Sequence, residues 1–226
     1  VSHLHIPDGV LPMWLWLGGL CVSLIVVALT SRAPAPQQLA YRGALGGLML
    51  AAMSIPMGPL DYHLTLAGPV GVLLGPAGAF QVTFVVSLIL AFVGHGGFTV
   101  VGLNALVLGI AAATSYPVFR ACARVAGPGA ALAIATAAGQ CVAAGLWLGV
   151  VVVALRSPLP LAEHAHHAHV SPERAGWLAT LAVPLWLIGL LVESAVAYGI
   201  ANFLARVHPG LLPSVAAPPV AERGAA

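Results

Sequence analysis

The 226-residue chain contains no lysine, and its eight arginines and six carboxylates make up only 6% of it. A soluble globular domain carries about 25% charged residues, so this chain cannot cover a water-facing surface of its own size. The arginines stand singly, which leaves no basic patch for a nucleic acid partner. The three cysteines, Cys21, Cys122 and Cys141, lie within apolar runs without CxxC spacing, so neither a zinc framework nor a disulfide scaffold is expected. HExxH and GxSxG are absent, as is the GxxxxGK[ST] loop that holds nucleotide phosphates. The segment VSHLHIPDGVLP, ahead of the first apolar run, lacks the positive region of a secretory signal and is expected to be retained.

What the sequence has in abundance is apolar length. It is 60% hydrophobic, with a mean hydropathy of +1.01. Spans of roughly 20 residues cross about 30 Å of hydrocarbon. The apolar runs predict helices near 13–30, 39–57, 64–76, 78–94, 98–119, 129–155 and 177–205. The fold class is therefore all-α: one polytopic membrane domain over residues 1–212, followed by a disordered cytoplasmic tail over 213–226. The third run, LTLAGPVGVLLGP, is short and contains Gly68, Pro69, Gly71 and Gly75. By length alone it is a full span, a broken helix or a re-entrant segment.

Charge chooses between these. With seven spans, Arg32, Arg42, Arg120, Arg124, Arg206 and Arg223 share one face, and only Arg156 and Arg174 fall opposite. That distribution obeys the positive-inside rule. A non-spanning third segment would put Arg120, Arg124, Arg206 and Arg223 outside. Seven transmembrane helices with the N-terminus outside and the C-terminus cytoplasmic is the expected topology. Eight of the nine histidines then lie on the outer face, and only His208 lies inside. Imidazole suits Ni, Co, Cu and Zn, whereas the few oxygen ligands on that face argue against Mg²⁺ or Ca²⁺.

Four places carry that chemistry, each with a plainer alternative. At the N-terminus, an amine, deprotonated amides and a nearby imidazole form fused chelate rings, a square-planar set that suits Ni²⁺ and Cu²⁺. Either Val1 with His3, or Leu4 with His5, supplies such a set; the alternative is a solvated terminus. His63 stands at the mouth of the glycine-broken third run, with Asp61 close enough to orient a ring by accepting its other N–H; alternatively it is an interfacial histidine beside Tyr62. His95 precedes Gly96 and Gly97, which permit conformations barred to other residues. Asn104 follows, as a pocket residue or as helix–helix glue. In EHAHHAHVSPER, His164, His166, His167 and His169 form a weak metal antenna or a solvated loop. Finally, Glu193 in the last run is an intramembrane carboxylate, a functional candidate by its cost. With Ala197 and Ala201 on the same small-residue stretch, it is expected to pack closely on a neighbouring helix, in its own bundle or in a partner.

LHIPDGVLP, the SIPM to DYHLT segment with VLLGPAGAF after it, HGGFTVVGLNALVLGI, and ESAVAYGIANFLARVHPGLL occur in this order. Together they resemble the CbiM/NikM family, the substrate-binding membrane subunits of energy-coupling factor transporters for cobalt and nickel, over roughly residues 4–212. The resemblance implies seven helices in a bacterial plasma membrane and an N-terminus that dips into the bundle from outside to hold Co²⁺ or Ni²⁺ as transported substrate. No organic cofactor is implied. In the family pattern the first residue gives its amine, the next histidine gives amide and ring nitrogens, and a histidine after the second helix completes the plane. The matching positions are Leu4, His5 and His63. The family begins Met-His-Ile-Pro, and here three residues precede Leu4. Bacterial GUG and UUG codons also initiate, so Leu4 is the expected true start; if residues 1–3 persist, the Val1 amine with His3 becomes the stronger chelate.

The same resemblance implies a transmembrane coupling subunit and two cytoplasmic ATPases as partners, with room for a small accessory membrane subunit, and no enzymatic activity of the chain itself. The competing function is a membrane-embedded histidine-dependent metalloenzyme. Against it, no carboxylate joins the outer histidines on a helix.

Overall fold

The structure, a computed structural model, describes residues 11–31, 35–56, 62–156 and 172–213. Among them are six α-helices and no strand: α1 (Met13–Thr30), α2 (Pro36–Ser54), α3 (Ala67–Phe92), α4 (Val101–Cys122), α5 (Pro128–Arg156) and α6 (Pro172–Val207), followed by a 3₁₀ turn, Pro209–Leu211. Five of these helices are long and apolar enough to cross a membrane, α2 being the exception. The tail beyond residue 213 and the histidine run 164–169 lie outside the described residues.

The runs predicted at 64–76 and 78–94 belong to one element, α3, broken inside. Gly75 takes φ 71°, ψ 169°, a setting that essentially only glycine reaches. Pro76 follows it, and a proline both lacks the N–H of a continuing helix and biases the residue before it out of the helical region. A straight 26-residue helix would hold its ends about 39 Å apart. Yet the rings of His63 and His95, just outside the two ends of α3, are 5.3 Å apart. The chain therefore doubles back at Gly75, giving a short arm (67–74) and a long arm (76–92). Gly68, Pro69 and Gly71 do not break the short arm. Pro69 falls in the first helical turn, where a missing N–H costs little, and the two glycines serve close packing.

The long and short arms of α3 pack on α4, α4 on α5 and α5 on α6, while α1 lies on α4 and α2 on α3. Small residues set the approach. A Cβ on Gly71 would overlap the Ala112 carbonyl group of α4, and one on Gly102 would overlap the Leu20 backbone of α1. Interfaces of this kind let helices associate where lipid removes the hydrophobic drive between them. Buried hydroxyls add cross-links: Ser23 Oγ donates to Gly102 O at 2.6 Å, and Ser115 Oγ to Ala135 O at 3.1 Å. Gln81 of the long arm accepts from Arg42 Nη1 at 2.7 Å and donates to Thr30 O at 2.7 Å, tying together α1, α2 and α3.

The two ends of the bundle differ chemically. Around the kink, Leu74 and Gly75 share a cavity with Tyr116 and with Pro209–Leu212. This places Arg120, whose guanidinium lies 5.9 Å from the Tyr116 ring centroid, and Arg206, in the last turn of α6, at the kink end with His208. His63 and His95 occupy the opposite end.

Candidate metal site at the histidine end

His95 is delivered by the way α3 stops. Gly94 has φ 81°; its N–H donates to Ala91 O at 3.1 Å and that of His95 to Leu90 O at 2.8 Å. These are the two bonds of a Schellman motif, which places the residue after the left-handed glycine back over the final turn. Gly96 is also left-handed, at φ 97°, so the histidine sits between two glycines that its neighbours could not easily replace. The pair that matters is Gly94 and Gly96, whereas the sequence pointed to Gly96 and Gly97. Phe92 and Phe98, edge to face at 4.8 Å, brace the same turn.

His63 reaches the site from the other side. It is 6% exposed, and its ring meets that of His95 at an interplanar angle of 66°. The connection 62–66 that carries it is fastened to α6 and α5. Glu193 Oε1 accepts the Thr65 N–H and the Tyr62 hydroxyl at 3.4 Å, and the same hydroxyl donates to Gly189 O at 3.1 Å. Gly189 has no Cβ, and one would strike the Tyr62 ring. Gln140 Nε2 of α5 donates to Thr65 Oγ1 at 3.1 Å, and Thr65 Oγ1 accepts the Ala67 N–H at 3.3 Å, so the threonine hydroxyl takes up the first N–H of the short arm, which has no partner within the helix. Burial, reinforced by the Glu193 carboxyl beside it, pushes the Tyr62 phenol far above its ordinary range, which keeps it a hydrogen-bond donor.

Of the residues singled out from the sequence, the fold brings His63 and His95 together and buries Asn104 in the first turn of α4 at 3% exposed. Leu4, His5, His3, Asp61, His164, His166, His167 and His169 lie outside the described residues. Among the described residues no group of three or more His, Cys, Asp or Glu could by itself hold a metal ion. For Glu193, Ala197 and Ala201, expected to pack in the chain's own bundle or against a partner helix, the fold shows the first. All three are buried in the chain's own bundle, the alanines in the apolar cluster with Val72, Phe119 and Leu132, and the carboxylate on the 62–66 connection. Small residues here serve intramolecular contact, which sequence alone cannot distinguish from contact between chains.

Thr65 and Gln140 were not singled out from sequence. A signal existed for both: a hydroxyl residue just before a helix is a capping candidate, and a glutamine inside an apolar run is an intramembrane polar group. Leu66 carries no such signal. It takes φ 53°, ψ 18°, a left-handed setting that is an outlier for a bulky side chain and persists only where neighbours hold it.

Residues 5–211 match the model of the CbiM family, described as the cobalt uptake substrate-specific transmembrane region. The chain belongs to this family. It is a multi-pass membrane protein of transition-metal transport, a substrate-uptake component. The fold agrees with two solved structures. One, described as a transition metal transporter, has 17% sequence identity and a TM-score of 0.73, with 90% of this chain and 93% of that chain covered. The other, a truncated transition metal transporter, has 18% identity and a TM-score of 0.73, with 90% and 99% covered. No curated protein is significantly similar to the chain in sequence.

Because His95 lies edge-on to His63, its replacement by alanine removes packing that fixes the His63 ring. Groups that orient a metal ligand typically contribute 10- to 100-fold in affinity. With His63 taken as a metal ligand, the reading proposed below, His95→Ala is expected to weaken Ni²⁺ and Co²⁺ binding by about that factor, read by calorimetric titration, without changing the number of ions bound.

Proposed function

We propose that the chain is the substrate-capture subunit of an energy-coupling factor importer for Co²⁺ or Ni²⁺. It has seven spans, the histidine end faces outward and the kink end faces the cytoplasm. The single observation that carries this reading is the convergence of His63 and His95, from either end of α3, at the pole away from Arg120 and Arg206. Paired imidazoles at one end of a membrane bundle suit a nitrogen-seeking divalent ion. The pair needs further donors, and the Leu4 main-chain nitrogen with the amide and ring of His5 are the ones we assign, with His63 as the ligand from the bundle. His3 is the substitute should Leu4 not serve. Asp61, His95 and Asn104 orient or line the site, and His164, His166, His167 and His169 gather metal loosely above it. No organic cofactor takes part.

Energy comes from partners, since the chain has no phosphate-binding loop of its own. A transmembrane coupling subunit and two cytoplasmic ATPases fill that role, with a small accessory membrane subunit as a further companion. Titration of the purified chain with NiCl₂ and CoCl₂ tests the reading. One tightly held ion per chain is expected, displaced as pH falls, because amide, amine and ring nitrogens must lose protons to bind. Absorption spectra showing oxygen-rich octahedral ligation, or no ion retained, would end it.

A further inference from the structure

The buried carboxylate of Glu193 is an expensive group for ordinary helix packing. It is 1% exposed, it stands within the span Val183–Val207, and an ionisable residue at such depth is rare unless it has work to do. Its contacts are not spread along α6. They converge on residues 62–66, immediately ahead of α3: Oε1 takes the Thr65 N–H and the Tyr62 hydroxyl, the residues on either side of His63 and Leu64. Oε2 finds no hydrogen-bond partner among the described residues. The next residue along, Leu66, is held left-handed, and the short arm starts immediately after it, with Thr65 Oγ1 shared between the Ala67 N–H and Gln140.

We infer that Glu193 is the positioning residue of the metal site: by gripping Tyr62 and Thr65 from α6 it fixes the backbone that aims His63 at the ion. This rests on the reading of His63 as a ligand. The part that matters is the acceptor oxygen Oε1, because both of its donors belong to the 62–66 connection. A glutamine keeps that oxygen in place, whereas an alanine releases the connection from α6 and lets Leu66 relax. Tyr62→Phe removes one of the two donors and leaves the backbone bond intact.

The test is titration of the full chain with NiCl₂ by calorimetry, with the visible d–d bands of the bound ion as a second readout. Parent, His63→Ala, Glu193→Ala, Glu193→Gln and Tyr62→Phe are compared. Glu193→Ala is expected to bind about 10- to 100-fold more weakly, the range for groups that orient ligands, with one ion still bound at saturation and shifted d–d bands. Glu193→Gln is expected to stay within about threefold of the parent, with parental bands, since only the loss of the acceptor should release His63. Tyr62→Phe is expected to lie between them. If Glu193→Ala does not fold, Tyr62→Phe decides, and parental affinity in that variant overturns the inference. So does parental affinity in Glu193→Ala, or an equal loss in Glu193→Ala and Glu193→Gln. Parental affinity in His63→Ala overturns the ligand reading itself, a separate result.

Discussion

Replacing His63 by alanine is expected to lower the affinity for Ni²⁺ and Co²⁺ by more than about 100-fold, because a ligand must cost more than the groups that merely orient one. His5→Ala is expected to do the same, since it removes a ring that the pair at the histidine end cannot supply. Deleting residues 164–169 should leave the affinity within about threefold of the parent, because the ligands we assign, Leu4, His5 and His63, all lie elsewhere in the chain. The three variants are compared by metal titration of purified protein. Should only the loop deletion abolish binding, the site assigned to the bundle would be wrong. The His63 arm is the most informative. Its side chain is buried and held against His95, so its loss cannot be dismissed as the trimming of a solvated group.

The second large effect concerns the fold itself. Gly71→Ala places a methyl group into the Ala112 carbonyl, with backbone atoms on the far side that no rotamer change can move away. Overpacking a core typically costs 1–3 kcal/mol, and backbone against backbone belongs at or above the upper end. We expect a destabilisation of about 3 kcal/mol or more, seen as a fall in the thermal midpoint of the detergent-solubilised chain and as loss of bound metal. Gly145→Ala in α5 is the control. Nothing lies within 4 Å of the added Cβ, so the change should be neutral or slightly stabilising through helix propensity. Equal midpoints for the two variants would show that the short arm does not press on α4 as described.

Much of the helical architecture could be read directly. The run 13–30 coincides with α1, and the ends of α2, α4 and α5 fall within three residues of those expected, because apolar length and flanking turn residues report on helix extent without knowledge of packing. The interruption in the third run was also legible, though not its place. Gly68, Pro69 and Gly71 look like breakers in sequence, yet the two glycines sit where Thr136 and the Ala112 carbonyl of neighbouring helices leave no room for a Cβ and the proline sits in a first turn that tolerates it. The reversal belongs to Gly75 and Pro76. His63 and His95 could be chosen one by one as imidazoles beside glycine-rich turns. Their meeting could not, since it depends on the doubling-back of α3. The contacts of Glu193 could not be chosen from sequence for the same reason. Its partner Thr65 lies 128 residues away, and no local pattern of polarity reports a contact at that separation.

The doubled helix has a mechanical consequence. His63 and His95 ride at the tips of a pair of tongs whose pivot, Gly75, sits at the far pole of the bundle against Tyr116 and the turn Pro209–Leu211. The long arm measures about 25 Å, so a rotation of about 5° at the pivot carries its tip through about 2 Å, the length of one bond between a metal and a nitrogen. A push on the pivot pole and a change in the gap between the two rings are thus one displacement seen from opposite sides of the molecule.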